Sequence, residues 1–514
     1  MRILSIKESR IIDQWVPTQA GLPLSLLMEN AGHAVAVAVA DFYYTMGGTV
    51  VILAGTGNNG ADGLVAMRHL REIGVPVRLH IVGDVAKGTE LFALQLNALK
   101  AMEIPFTTSE TIGSDSDSSL LVGTTILVDA LVGTGLQGEL RQPMANLLET
   151  VAAYVTAYPA TKIIAVDTPS GVNGDTGSVA SATLKADVTI TFGAPKQGFY
   201  LYPAKSYMGE VRVAKLGIPW EKALPDEGAK TRALTADAVK LLLPTRTPTA
   251  HKGSCGHTLI IGGSEGMYGA PLMAAHGAIR TGAGKTTLAV PHACLDVITS
   301  RVDTAVMTGS YGNLLQLRMH GSEKDAVAVG PGLGRNEESA TLIRNFVTTT
   351  DRPLVIDADG LWILGHIDRL EGALSNRERP AILTPHPGEF ARLSGIAPDE
   401  LEQDRIGIAR SFAMKYNVVL VLKGAPTVVA APNGDVAINT AGNAGMAIGG
   451  MGDVLTGVIA SLLGQGASEW EAACAGVYLH SAAADILAQT KPQGFAPDDV
   501  ADVIPNAIGM LRKR

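Results

Sequence analysis

TVVILAGTGNNGADGLVAMRHLRE (49–72) opens with six apolar or β-branched residues, turns through a glycine-rich segment and continues into LVAMRHLRE, which reads as helix. A short apolar run without alternation is what a strand buried on both faces needs. Such strands belong to parallel sheets covered by helices. PVRLHIV (76–82), TILVD (125–129), KIIAVD (162–167) and VTITF (188–192) repeat the pattern, with VRVA (211–214) as an added strand. Glycine-containing loops and amphipathic segments lie between them, as expected of successive β–α–β units.

The pattern breaks at WEKALPDEGAKTR (220–232), which has neither strand nor buried-helix character and is the expected linker. HTLIIGG (257–263), TTLAV (286–290), DAVAVG (325–330), PLVIDAD (353–359), PAILT (380–384) and NVVLVLKG (417–424) then begin a second series, with no repeat relating it to the first. At 514 residues the chain exceeds what one core usually supports. The expected architecture is α/β with two dissimilar layered domains, 1–222 and 235–514, joined by a linker at 223–234. TSETIGSDSDSSL (108–120) is polar and reads as a surface loop.

Hydrophobic residues make up 46%, charged residues 18%, and the net charge is −8, so nothing electrostatic points to nucleic acid or an anionic membrane as partner. Anionic small molecules remain open, because backbone amides and helix ends hold them locally. Cys255, Cys294 and Cys474 are too few and scattered for a disulfide framework or zinc site, which suits a reducing, cytoplasmic compartment. MRILSIKESR (1–10) lacks the apolar core of a signal peptide. AGHAVAVAVA (31–40) is too short to span a membrane and reads as a buried, Ala-rich helix.

A glycine-rich loop between a strand end and a helix start presents free amides to phosphate. Gly55, Gly57 and Gly60 satisfy the spacing of a dinucleotide fingerprint, and Asp84 follows the next strand. A plain pyrophosphate turn does not require Asn58, Asn59 and Asp62, however, and a lone fingerprint arises often by chance. Two more strands end in acids. TILVDALVGTGLQGE (125–139) carries Asp129 before a second glycine-rich loop, and KIIAVDTPSGVNGDTG (162–177) carries Asp167 and Ser170 before a third. Ligands of open parallel sheets bind outside the carboxyl ends of the strands, so the three loops are expected to converge on one crevice.

NNGADG (58–63), VDALVGTGLQGE (128–139) and VDTPSGVNGDTG (166–177) resemble the signature loops of the NAD(P)H-hydrate epimerase family, with Ala61 where a second glycine is usual. The resemblance implies a Rossmann-like αβα sandwich. It implies that Asn58, Asn59, Gly60, Ala61 and Asp62, with Gly133, Thr134, Gly135, Leu136, Gln137, Gly138 and Glu139, hold the hydrated cofactor. It further implies a potassium ion on Asn59, Asp129 and Ser170, and substrate contact by Asp167. The hydrate bears a hydroxyl beside the ring nitrogen, so ring opening or hydroxyl loss scrambles that centre; Asp167 is the candidate acid/base.

In the second half, NTAGNAGMAIGGMGDVLTGVIASLL (439–463) joins a glycine-dense loop, an acid at a helix start and an apolar run. Amides of Gly449, Gly450 and Gly452 can form an anion hole for a transferring phosphoryl group, with Asp453 beside it as base for a hydroxyl. TPHPGEFARL (384–393) places His386 and Glu389 at a strand-to-helix junction, Pro387 suiting the first turn. GAGKTT (282–287) fails as a phosphate loop, since Ile279 stands where that motif needs glycine; Lys285 is the expected start of a strand.

SEGMYGAP (264–271), GPGLGR (330–335), TPHPGEF (384–390), KGAPT (423–427) and GGMGDVLTG (449–457) occur in that order and resemble the ADP/ATP-dependent NAD(P)H-hydrate dehydratase family, a branch of the ribokinase-like fold. The resemblance implies hydrate contacts at Ala270, Gly332, His386 and Asp453. It implies nucleotide contacts at Lys423, Gly424, Ala425, Pro426, Thr427 and Gly452, and a magnesium ion. Phosphorylation of the hydroxyl by ADP or ATP, with ADP the expected donor, would be followed by phosphate elimination. Substrates would be the hydrates of NADH and NADPH, and the assembly a homo-oligomer. Two other readings stay open: a small-molecule kinase making a stable phosphoester, and a non-catalytic binding protein.

Overall fold

The computed structural model describes all residues except 110–119, 137, 225–229, 367–371, 373 and 514. The chain divides into two compact units, Arg2–Glu227 and Gly228–Arg514, the latter together with Met1.

The first unit is built on seven strands: β1 (Thr49–Ala54), β2 (Val77–Val82), β3 (Thr107–Ser109), β4 (Thr124–Ala130), β5 (Lys162–Val166), β6 (Val188–Phe192) and β7 (Glu210–Ala214). Their order is β3-β2-β1-β4-β5-β6-β7 and every pairing is parallel. Both faces are covered. Val50, Ile52 and Ala54 of β1 pack with helices Leu24–Met46, Asn58–Glu72 and Glu90–Ala101, while Val51 and Leu53 pack with helix Met144–Ala157 on the other side. That is why TVVILA reads as a continuous apolar run. From β1 the chain winds outward through β2 and β3, then returns to build β4 to β7 on the opposite side of β1. The reversal opens a crevice beyond the ends of β1 and β4, the binding position of a Rossmann-like sheet.

The second unit contains β8 (Thr231–Leu234), β9 (His257–Ile261), β10 (Lys285–Pro291), β11 (Val306–Tyr311), β12 (Ala326–Val329), β13 (Leu354–Ile356), β14 (Ala381–Leu383), β15 (Val418–Leu422), β16 (Val428–Ala430) and β17 (Val436–Asn439). They form one sheet, ordered β11-β10-β9-β12-β13-β14-β15-β16-β17-β8. Pairing is parallel except where β16 runs against β15 and β17. One face packs on helices Gly269–Thr281, Met451–Gly464, Glu469–Ala488 and Pro497–Lys513. The helices Gly269–Thr281 and Met451–Gly464 approach closely through reciprocal glycines. A Cβ on Gly457 would lie 1.8 Å from the Ala274 carbonyl oxygen, and one on Gly277 would lie 2.5 Å from that of Val454.

Three sequence readings need correction. Thr107–Ser109 pairs with β2 as an edge strand, although Thr108 and Ser109 fall in the stretch read as surface loop; 110–119 lie outside the described residues. Thr231–Leu234, read as linker, pairs with β17, because Asp435 accepts from Lys230 N–H at 2.8 Å and from Arg232 at 3.1 Å. The helix after β1 starts at Asn58, six residues earlier than read, and takes in most of the glycine-rich segment. Lys285 does begin a strand, and 31–40 lie in a helix with mostly buried residues. Among the described residues, no helix is long and apolar enough to cross a membrane.

Candidate active sites

In the first unit the crevice at the end of β1 is lined by the opening turn of helix Asn58–Glu72. A Cβ on Gly60 would fall 1.8 Å from the Gly55 carbonyl oxygen, so only glycine lets the helix start against the strand end. Ala61 is fully buried within the helix, its methyl part of the core, so the departure from glycine there is accommodated. Asn59 is buried beside Gly133, and both its side-chain Oδ1 and Nδ2 lack a hydrogen-bond partner.

Asp129 at the end of β4 is 1% exposed. It accepts from Ser170 N–H at 2.8 Å, from Ser170 Oγ at 2.5 Å and from Leu131 N–H at 3.3 Å. Burial raises its pKa, and among the described residues no basic side chain pairs with it. An orphaned amide oxygen, a buried carboxylate and a hydroxyl are hard donors of the kind a monovalent cation takes. The candidate set Asn59, Asp129 and Ser170 therefore fits a potassium ion.

Asp167 follows β5 with φ +59°, a left-handed conformation that aspartate tolerates better than most residues. Its Oδ1 accepts from Lys196 Nζ at 2.5 Å and from Thr191 Oγ1 at 3.0 Å. Lys196 is 3% exposed and follows β6; its backbone bridges to Leu4, ahead of helix Ile6–Trp15, which carries Asp13. Burial raises the Asp13 carboxyl to about 6, with Lys196 pulling it down and Asp167 pushing it up. Asp62 is buried, and burial together with the charges of Asp167 and Asp13 holds its pKa well above the carboxylate range, against Lys196. Asp13, Asp62, Asp167 and Lys196 thus form one buried charged cluster, in which the Asp13 and Asp62 carboxyls are raised. Lys196 and Asp13 were not singled out from sequence.

Other expected contacts disperse. Gly133 lies against Asn59, but Gly135, Gly138 and Glu139 are exposed, and Glu139 accepts from both N–H and Oγ of Ser181 at 3.0 Å. Thr134 and Leu136 are half-buried; Gln137 lies outside the described residues. Asp84 caps the short turn Val85–Lys87 and pairs with Lys87 at 3.0 Å, so it serves the turn.

In the second unit the loops after β9, β12, β13, β14 and β15 gather around the start of helix Met451–Gly464. Gly450, with φ +95°, turns the chain into that helix, whose first-turn amides have no intrahelical acceptors. Gly449 is exposed with open space beside it, whereas Gly450 packs against Met273 and Pro497 and Gly452 lies over Lys423. Asp453 sits in the first turn with its pKa raised to about 7. Burial contributes most, then Asp357, against Lys423, with Asp359 and Glu389 adding. Lys423 Nζ donates to Asp357 Oδ1 at 2.9 Å and lies 3.8 Å from Glu389 Oε2.

His386 caps helix Pro387–Ser394, its Nδ1 accepting from Gly388 and Glu389 N–H, so a neutral ring carries its proton on Nε2. The side chain is 54% exposed, with Nε2 3.5 Å from Glu389 Oε1. Pro385 O accepts from Lys423 N–H at 2.9 Å, which joins the His386 and Lys423 loops. Ala270 and Gly332 are neighbours: a Cβ on Gly332 would lie 3.3 Å from that of Ala270. Gly334 N–H donates to Asp359 at 2.9 Å, bringing this loop to the end of β13. Gly424 and Ala425 are exposed, Thr427 half-buried and Pro426 buried. Asp357, Asp359 and Thr456 went unremarked in the sequence, although PLVIDAD ends in acids as the strands of Asp129 and Asp167 do.

Residues 25–198 match the family described as YjeF-related protein N-terminus, and residues 258–506 the family described as NAD(P)H-hydrate dehydratase. A bifunctional NAD(P)H-hydrate repair enzyme from Thermofilum pendens is 35% identical, with 100% of this chain and 97% of that one aligned. This chain belongs to that family. Its Escherichia coli member is 37% identical over 91% of this chain and 86% of its own. A ribokinase-like superfamily protein of known structure from Enterococcus faecalis is 26% identical and superposes with a TM-score of 0.50, over 55% of this chain and 96% of its own. The bifunctional repair family thus joins a Rossmann-like unit to a ribokinase-like one.

Proposed function

We propose that the chain repairs hydrated NADH and NADPH in two steps, each in its own unit. The first interconverts the R and S hydrates. The second dehydrates the S hydrate at the expense of a nucleotide, giving NAD(P)H, AMP and phosphate when ADP is the donor. Family membership along the whole chain carries the two-step reading. The open, glycine-turned start of helix Met451–Gly464, with Asp453 poised near neutrality, supports Asp453 as the base.

Asp453 takes the proton of the hydrate hydroxyl as its oxygen attacks the terminal phosphorus. The bond from that phosphorus to the nucleotide breaks, and first-turn amides hold the migrating phosphoryl oxygens. The ring nitrogen's electron pair then expels phosphate from the adjacent carbon, and loss of a neighbouring C–H proton restores the dihydropyridine. Hydroxide leaves poorly; phosphate leaves readily. Lys423 to Thr427 and Gly452 take the nucleotide, while Ala270, Gly332 and His386 take the hydrate. Magnesium, when bound with the nucleotide, would neutralise charge on the transferring group. This agrees with Asp357, Asp359 and Glu389 being engaged by protein donors.

In the first unit Asp167 moves the proton on the hydroxyl oxygen as the ring opens and recloses, or as the hydroxyl leaves as water and water returns to the other face, with Lys196 holding its carboxylate in place. Asn58 to Asp62 and the Gly133–Glu139 loop take the substrate. Potassium on Asn59, Asp129 and Ser170, when bound, supplies a fixed positive charge beside it. Unpaired Cys255, Cys294 and Cys474 support a cytoplasmic setting, and a homo-oligomer is part of the proposal. The test is direct: hydrated NADH with protein, magnesium and ADP should regain reduced-nicotinamide absorbance with one AMP and one phosphate per NADH. A stable phosphoester product would identify a kinase instead.

A further inference from the structure

The Asp357 carboxylate, at the end of β13, is 1% exposed and fully engaged. Oδ1 accepts from Lys423 Nζ at 2.9 Å, and Oδ2 accepts from Thr456 Oγ1 at 2.6 Å. Lys423 follows β15. Thr456 lies three residues beyond Asp453, one turn along the same helix face. One buried carboxylate therefore ties two strand ends to the helix that carries Asp453.

The ammonium is wedged under the helix start. A Cβ on Gly452 would lie 3.1 Å from Lys423 Nζ and 3.7 Å from Asp357 Oδ2. A helix N-terminus repels a cation, so a lysine there needs anions to hold it. Asp357 does so directly and Glu389 at 3.8 Å. The groups facing Asp453 are thus Asp357 and Asp359 from the β13 end, Glu389 from the β14 loop and Lys423 from the β15 end.

We propose that Asp357 is a positioning residue for phosphoryl transfer, acting through Lys423 and Thr456 to set the place and charge environment of Asp453. It rests on Asp453 being the base, and the experiment separates the two claims. In the full-length protein, kcat for ADP-dependent NADH formation is followed against pH at saturating substrates. Asp453→Asn comes first; if it keeps its activity, the base assignment fails whatever Asp357 does. With that activity lost, Asp357→Asn is expected to move the acid limb of kcat down by about one pH unit or more, since a raising anion is removed and Lys423 is left unbalanced. Its plateau should fall about tenfold as the base weakens.

Lys423→Met removes the opposing cation and is expected to move the limb upward. A purely structural role for Asp357 would lower kcat alike at every pH, and an unmoved limb in Asp357→Asn overturns the proposal. Should that variant fail to fold by circular dichroism, Lys423→Met decides alone: an upward shift supports the linkage and an unmoved limb overturns it.

Discussion

Lowering the pH should slow dehydration far above the range where an ordinary aspartate titrates. Asp453 is pushed up to about 7, far above the ordinary aspartate range, first by burial and then by Asp357, with Lys423 opposing. A base works only when deprotonated, so the rate depends on the carboxylate fraction. At pH 6 that fraction is about one in eleven, and at pH 5 about one in a hundred. The dehydration kcat should therefore fall about tenfold from its alkaline plateau at pH 6 and about tenfold again at pH 5. An unperturbed aspartate would leave it almost flat over that range. The assay is initial-rate NADH recovery from the S hydrate between pH 5 and 9, with magnesium and ADP saturating. Saturation matters, because KM for ADP carries the nucleotide's own titration while kcat reports groups in the bound complex. A kcat constant from pH 5 to 8 would refute the burial argument for Asp453.

Asp167→Asn keeps a polar partner for Lys196 but cannot exchange protons, so R/S interconversion should slow by about 10²- to 10⁴-fold with S-hydrate dehydration intact; chiral chromatography of the hydrates reads this out. Asn59→Ala removes the orphaned buried amide, and epimerisation should then need about tenfold more potassium for half-maximal rate; an unchanged potassium titration would remove Asn59 from the cation site. Gly457→Ala drives a methyl into the Ala274 carbonyl, which should cost about 1–3 kcal/mol and lower the melting of the second unit; unchanged melting would mean the two helices part freely.

Sequence legibility followed local chemistry. TVVILA and VTITF match their strands residue for residue because burial on both faces leaves an uninterrupted apolar run. Thr107–Ser109 and Val306–Tyr311 escaped because edge strands need no such run: the first is polar throughout and the second mixes Val and Met with Thr, Gly and Ser. Asn58 looked like loop because glycines normally end helices, whereas here Gly60 is required for contact with Gly55. Asp129, Asp167 and Asp453 were visible as acids at element ends beside glycine-rich turns. Lys196 and Asp13 were not, since Lys196 meets Asp167 through the pairing of β6 with β5 and Asp13 comes near through the bridge of Leu4 to Lys196, far away in sequence. Asp357 obeyed the strand-end rule, but its meaning depends on Lys423 and Thr456, more than sixty residues away.

Two repair sites working in series are tested most directly by starting from the R hydrate of NADH alone. With potassium, magnesium and ADP, the intact protein should return all of it to NADH, and Asp453→Asn should stop the same reaction at a mixture of both hydrates. R hydrate that persists unchanged with the intact protein, while S hydrate is consumed, would contradict an epimerase in this chain.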